Sequence, residues 1–186
     1  MKRILAVLML IMVLCGCGGE ADEMGRAMAL RKRLQQCTGC TFDAVVTADY
    51  GSATYTFSMN CSLDSEKNLS FIVTDPDTIS GIKGVISKEG GKLTFEDTIL
   101  AFEMLAEGQL TPVSAPWILV NSLCSGYISL CGTENDGMRI GIDDTYRDES
   151  FRIELWTDEN DLPLRGEIIW QGRRILTVDV RNVVFV

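Results

Sequence analysis

The stretch Thr41-Phe-Asp-Ala-Val-Val-Thr-Ala-Asp-Tyr50-Gly-Ser-Ala-Thr-Tyr-Thr-Phe-Ser-Met-Asn60-Cys-Ser-Leu63 decides what kind of fold this chain makes. In its first half Phe42, Ala44, Val46, Ala48 and Tyr50 stand two apart. In its second half Tyr55, Phe57, Met59, Cys61 and Leu63 do the same, with Thr56, Ser58, Asn60 and Ser62 between them. Residues two apart on a strand share a face, so each run has one apolar face and one wet face. Two such runs joined through Gly51-Ser52 predict an antiparallel hairpin packed on one side against a core.

Upstream of the hairpin the period is helical. Ala27, Leu30, Leu34 and Cys37 recur at spacings of three and four residues. Asp22 and Glu23 lead the segment and Arg31, Lys32 and Arg33 close it, matching the helix dipole. Asp22 to Gln36 is therefore predicted as an amphipathic helix, with Gly39 as a stop signal. Such a helix is marginal alone and must pack on something.

Downstream, further strands are predicted at Leu69–Val73, Ile82–Ser87 and Lys92–Phe102, separated by Asp75-Pro76-Asp77, Gly81 and Gly90-Gly91. The alternation then breaks. Thr111-Pro112 and Ser114-Ala115-Pro116 offer two helix starts with proline near the first position, and Trp117 to Cys124 is almost wholly apolar. Gly126 is a stop. A helix this apolar is covered on most sides. It either packs a core or lines an apolar cavity. Strand character returns with Met138, Ile140 and Ile142, then Phe151, Ile153 and Leu155, then Leu164, Ile168 and Trp170, then Leu176, Val178, Val180 and Val184. Turns at Asn135-Asp136-Gly137, Asp158 to Asp161 and Gln171-Gly172 make these an antiparallel meander.

The beginning of the chain reads as an address. Lys2 and Arg3 precede an apolar run from Ile4 to Leu14, which closes on Leu14-Cys15-Gly16-Cys17. The run is too short for a span of about 20 residues and has the layout of an export signal. Residues 1–16 are therefore predicted as a signal peptide, 17–21 as a linker and 22–186 as one domain. Removing 16 of the 186 residues leaves 170, enough for a proper core. Lys2 and Arg3 leave with the signal, so 15 of the 17 basic residues face 26 acidic ones, a net charge of −11. That balance repels phosphate backbones, so nucleic acid is not an expected partner.

Composition also limits the chemistry. The chain contains no histidine, which removes the usual general base, the usual zinc ligand and the Ser-His and Cys-His nucleophile systems. Cys37-Thr38-Gly39-Cys40 has redox spacing, but it follows a predicted helix and precedes a strand. The helix C-terminus there disfavours a thiolate. Apart from Cys15 and Cys17, five cysteines remain: Cys37, Cys40, Cys61, Cys124 and Cys131. They are candidates for disulfides in an oxidising compartment, and their odd number leaves one free or paired between chains as a homodimer. Zinc would need a second cysteine pair that is absent. The acidic groups Asp143-Asp144 and Asp158 to Asp161 lack the ligand spacing of a calcium loop. Neither a metal nor a cofactor is expected, and the chain is not expected to be an enzyme.

Two resemblances give these elements an expected form. Leu14-Cys15-Gly16-Cys17 resembles the lipobox of bacterial lipoproteins, in which small residues precede a cysteine that is diacylated on sulfur. Here that cysteine is Cys17. The order helix, strands, apolar helix, closing meander resembles the LolA/LolB-like half-barrel lipoprotein-carrier fold. The likeness is most specific at Phe151-Arg-Ile-Glu-Leu-Trp-Thr-Asp-Glu-Asn-Asp-Leu-Pro-Leu-Arg-Gly-Glu-Ile, where a strand ends in an acidic turn before Leu-Pro opens the next. It extends to Arg174-Ile-Leu-Thr-Val-Asp-Val-Arg-Asn-Val-Val-Phe, with its asparagine near the strand end. Relatives of this fold include lipid-binding lipoproteins, envelope-stress sensors and GerS-type spore-germination lipoproteins of clostridia.

The resemblance implies an α+β, mainly β fold: a curved antiparallel half-barrel with an N-terminal helix and a second apolar helix packed on its concave face. It also implies a lipid or acyl ligand in an apolar hollow, with Tyr55, Phe57, Met59, Trp117, Val120 and Trp170 as candidate lining. The other expectation is a filled scaffold that docks an envelope protein partner. Either way Cys17 would anchor the domain to a membrane on its extracytoplasmic side. Two or more acyl chains hold a protein at one membrane, so the likeness is nearer to a tethered acceptor than to a mobile carrier.

Overall fold

The computed structural model describes residues 19–88, 90–94, 110–146 and 149–186. The signal stretch and Cys17 lie outside the described residues. So does the part of the predicted Lys92–Phe102 strand beyond Thr94. Helix α1 runs Gly19–Gln36, three residues earlier than the acidic cluster suggests. Strands β1 (Cys40–Asp49), β2 (Thr54–Leu63), β3 (Leu69–Asp75), β4 (Lys83–Ser87) and β5 (Gly90–Thr94) follow. A 3-10 turn at Pro112–Ser114 leads into α2 (Ala115–Ser125), and β6 (Tyr127–Glu134), β7 (Gly137–Tyr146), β8 (Glu149–Thr157), β9 (Pro163–Trp170) and β10 (Arg173–Phe185) close the chain.

The ten described strands form one sheet in the order β5-β4-β3-β2-β1-β10-β9-β8-β7-β6, antiparallel at every described pairing. Two meanders thus run outward from a central seam, where β1 meets β10 through Ala44↔Val180 and Val46↔Val178. The sheet is open and curved, and both helices lie on the side to which its apolar parity points. The fold is therefore the expected α+β half-barrel.

The hairpin keeps its predicted alternation. Phe42, Ala44, Val46 and Ala48 of β1 and Phe57, Met59, Cys61 and Leu63 of β2 are all buried. Tyr55 is the exception at 56 % exposed, because β2 begins beyond the edge of the core; its ring meets Tyr50 edge-on. On β10 the predicted parity fails at its end. Leu176, Val178 and Val180 are buried, yet Val184 is 55 % exposed. The cause is a bulge: Asn182 has φ +54°, and the β1 register slips between Thr41 and Asp43. One extra residue turns Val183 and Phe185 inward instead. Leu164 is also largely exposed, at the outer end of β9. Strand β6 carries little alternation, with Ile128 its one fully buried apolar side chain, and it was not legible in the sequence.

Helix α2 is buried almost all round. Ala115, Pro116, Trp117, Ile118, Leu119, Val120, Ser122 and Leu123 are all inside. Both predicted starts are used in part: Thr111 precedes the 3-10 turn and Ser114 precedes α2, with prolines at the first positions and no side-chain cap bond at either. The helix reaches the sheet because β9 has a notch at Gly166. A Cβ there would collide with Leu119 Cδ1 and Cδ2. Gly166→Ala is accordingly expected to cost about 1–3 kcal/mol through overpacking, read as a lower urea midpoint with unchanged slope. An unaltered midpoint would show that α2 is not seated in this notch.

Candidate functional site

Between α1, α2 and the central strands lies a slot with an apolar lining and about 50 Å³ of free space. The helices contribute Leu30 and Leu34 of α1 and Leu119, Val120 and Leu123 of α2. The floor is Cys40, Phe42, Leu63, Leu155, Val178 and Val180, and the partly buried Val183 and Phe185 stand at one side. Among the described residues no charged side chain lines it. The floor is continuous because Cys40 pairs with Leu63 on one side and Phe185 on the other.

The roof is fastened at both ends. At the C-terminus of α2, Arg31 donates from Nε to the Leu123 carbonyl at 2.6 Å and from Nη2 to that of Gly126 at 2.7 Å. Gln35 donates to the Cys124 carbonyl at 2.7 Å. These bonds satisfy carbonyls that the helix end leaves unpaired, and the guanidinium suits the dipole there. At the other end Trp117 Nε1 donates to the Lys67 carbonyl at 3.0 Å, and Lys67 Nζ donates to the Cys37 carbonyl at 2.8 Å. Lys67 holds φ +65° in the β2–β3 turn. That conformation is uncommon for a lysine and fixes where its side chain starts.

No protein-family model matches the chain, and no curated protein matches it. Solved structures do. A LolA superfamily protein from Nitrosomonas europaea superposes over 84 % of this chain and 92 % of its own, at 10 % identity and a TM-score of 0.44. A protein described as an outer membrane lipoprotein-sorting protein domain, from Vibrio parahaemolyticus, covers 89 % and 93 % at 9 % identity and TM-score 0.49. LprF from Mycobacterium bovis covers 89 % and 95 % at 11 % identity and TM-score 0.46. The chain is similar in fold to LolA-type proteins. At these identities the likeness is one of fold alone.

The six residues expected to line a hollow do not come together. Val120 lines the slot; Phe57, Met59 and Trp117 are buried in the packed core, Trp170 is partly buried against it, and Tyr55 faces solvent. The slot is instead formed by residues of α1, α2, β1, β2, β8, β9 and β10, among them Leu30, Leu34, Pro163 and Phe185. Sequence parity pointed to Leu30 and Leu34 as apolar, but nothing in it said that they would face Phe185. No described helix is long and apolar enough to cross a membrane.

Cys37, Cys40, Cys61, Cys124 and Cys131 are free thiols, and no candidate bridge is formed. Cys37 follows α1 and Cys40 opens β1, the order that disfavours a redox thiolate. Burial pushes the Cys40 thiol up from 9.0 to about 11, against a pull from the nearby Arg33 and Lys67 charges, and pushes Cys61 up further. Among the described residues no group of three or more Cys, Asp or Glu is arranged to hold a metal ion.

A second concavity, of about 800 Å³, lies on the outer face of the sheet across β10, β1, β2, β3 and β4. Its centre is Asp43, whose two carboxylate oxygens accept from the amides of Asn60 and Asn182 at 2.6 Å each. Those bonds hold its pKa below the ordinary carboxylate range. The bulge at Asn182 is what aims that amide at Asp43. Ile72 and Val85 are exposed beside it.

A raised thiol pKa has a measurable sign. At pH 8 a thiol with pKa about 11 holds roughly a hundredfold less thiolate than one at 9.0, and the thiolate is the reactive form. Native alkylation at pH 8 should therefore label the partly exposed Cys37 well before Cys40 and Cys61. The same shift removes stability as pH rises from 9 towards 11, since only the unfolded thiol then ionises readily. Equal labelling of Cys37 and Cys40, followed by peptide mass spectrometry, would contradict the burial described.

Proposed function

We propose that this chain is an exported, non-enzymatic lipoprotein, tethered to the extracytoplasmic side of a membrane through Cys17. Its half-barrel binds an apolar chain, such as the acyl chain of a lipid, in the slot under α2. The single observation that carries the reading is the lining of that slot: five strands and two helices converge on it without one charged side chain among the described residues. Ligand pockets are concave and mostly apolar, but they run to about 300–1,000 Å³. The slot as it stands is far smaller, so α2 must lift for a chain to enter. What fastens α2 is a small set of hydrogen bonds from Arg31, Gln35 and Trp117. The membrane tie is short, because α1 begins two residues after Cys17.

Native mass spectrometry after gentle extraction should find an acyl species besides the Cys17 anchor. Val183→Trp, placed at the slot's side, should lower that occupancy at least about tenfold, a loss equivalent to about 1.4 kcal/mol. Preparations that repeatedly carry no lipid would sink the acyl reading. For the anchor, Cys17→Ala should leave the domain folded but release it from membranes or stall its precursor. Unchanged membrane retention and processing would refute the tether.

One observation favours a second reading, a protein-interaction scaffold. The slot holds only about 50 Å³, while the outer face carries a concavity of about 800 Å³ around Asp43 with Ile72 and Val85 exposed. A partner, whether another envelope protein or a second copy, would dock there. In that case Ile72→Glu should abolish co-purification of the partner while leaving lipid occupancy unchanged.

A further inference from the structure

We infer that the slot selects an amphiphile with an anionic head, which Arg33 and Lys67 receive at its rim while the apolar chain enters beneath α2. The inference rests on the acyl-chain reading above and adds the class of ligand. Arg33 lies with Cζ 4.2 Å from the centre of the Phe185 ring, and Phe185 is a slot residue. A guanidinium stacked on an aromatic face keeps its N–H edges for other partners, and those edges match a phosphate or carboxylate. The Arg33 side chain makes no ion pair or hydrogen bond among the described residues and is exposed.

Lys67 lies near the slot residue Cys40, as Arg33 does, since both charges act on that thiol. Its ammonium reaches the Cys37 carbonyl at 2.8 Å and Cys37 Sγ at 3.6 Å, three residues before the slot residue Cys40. It also makes no ion pair among the described residues. Of the acids in its own turn, Asp64 is held below the usual carboxylate range first by its Asn68 hydrogen bond and also by the nearby Lys67 charge, but Asp64 and Lys67 form no ion pair among the described residues. Asp64 accepts from the Glu66 and Asn68 backbone N–H groups and from the Asn68 amide. Glu66 is exposed, within 3.5 Å of that amide. Arg31 gives Nε and Nη2 to carbonyls at the end of α2, whereas the Arg33 guanidinium has no such partner among the described residues and the Lys67 ammonium has the Cys37 carbonyl.

Charge balance makes the pair notable. The chain carries 26 acidic against 17 basic residues, and Arg139, Arg152, Arg165 and Arg174 pair with Glu154 or Glu167. Two cations without an ion pair among the described residues, at the rim of a slot whose described lining carries no charge, are the arrangement that an anionic head and an apolar tail require. A neutral or cationic head would leave both cations without a partner.

The test uses the full chain carrying Cys17→Ala, so that no anchor lipid competes, and three probes with the same twelve-carbon chain. Dodecyl phosphate, dodecyl maltoside and dodecyltrimethylammonium are titrated calorimetrically below their micelle concentrations. The phosphate should bind about fivefold or more tightly than the maltoside, as one or two solvent-accessible charge pairs allow. That preference should shrink as salt rises. Arg33→Gln with Lys67→Gln should abolish the preference of phosphate over maltoside, a ratio from which any loosening of the roof by loss of the Lys67–Cys37 bond cancels because both probes enter beneath it; the circular dichroism spectrum reports that the domain is folded. Equal binding of all three probes, or a preference that survives the double substitution, would overturn the headgroup assignment and leave the slot reading standing. Failure of every probe to bind would overturn both.

Discussion

The pairing of β1 with β10 is the contact on which the rest of the molecule depends. It joins residues 128 to 145 positions apart and turns two separate meanders into one sheet. Each meander alone would be a five-stranded ribbon with one wet face and an unpaired edge on both sides. Joined at Ala44↔Val180 and Val46↔Val178, they present a single curved apolar face wide enough to take two helices. Closing so long a loop is entropically slow to arrive at but not prohibitive, since the cost grows only with the logarithm of loop length.

The seam also sets the position of the slot. Its floor residues Cys40, Phe42, Val178 and Val180 belong to these two strands, and the bulge at Asn182 lies at the same end. One irregularity thereby serves both faces. Inside, it turns Val183 and Phe185 towards α1; outside, it aims the Asn182 amide at Asp43. A regular strand would have put Val184 in and Phe185 out, and the Arg33–Phe185 stacking would not exist.

Much of this was legible along the chain. The hairpin from Thr41 to Leu63, the amphipathic helix ending near Gln36, the apolar helix stopped by Gly126 and the closing meander all appear where period and turn chemistry put them. These features are local, because side-chain period follows directly from backbone geometry. The misses share a cause. Strand β6 has few buried apolar residues, Tyr55 and Leu164 sit at strand ends beyond the core, and Val184 lies past a bulge. Alternation says which residues share a face; it does not say how far along the strand the core extends.

The sequence by itself determined the class of fold, the acidic balance, the lack of histidine and the short, charged-then-apolar start that ends at Cys17. Only the tertiary structure decided which apolar residues meet to form the slot, and that Trp117 is packed away while Leu30, Leu34 and Phe185 are brought to it. It also decided that Arg31 is consumed by helix-end carbonyls and Arg33 is not. The reason is that two arginines one turn-half apart differ only in the direction they point, and that direction has consequences only once a second helix and a strand end are set beside them.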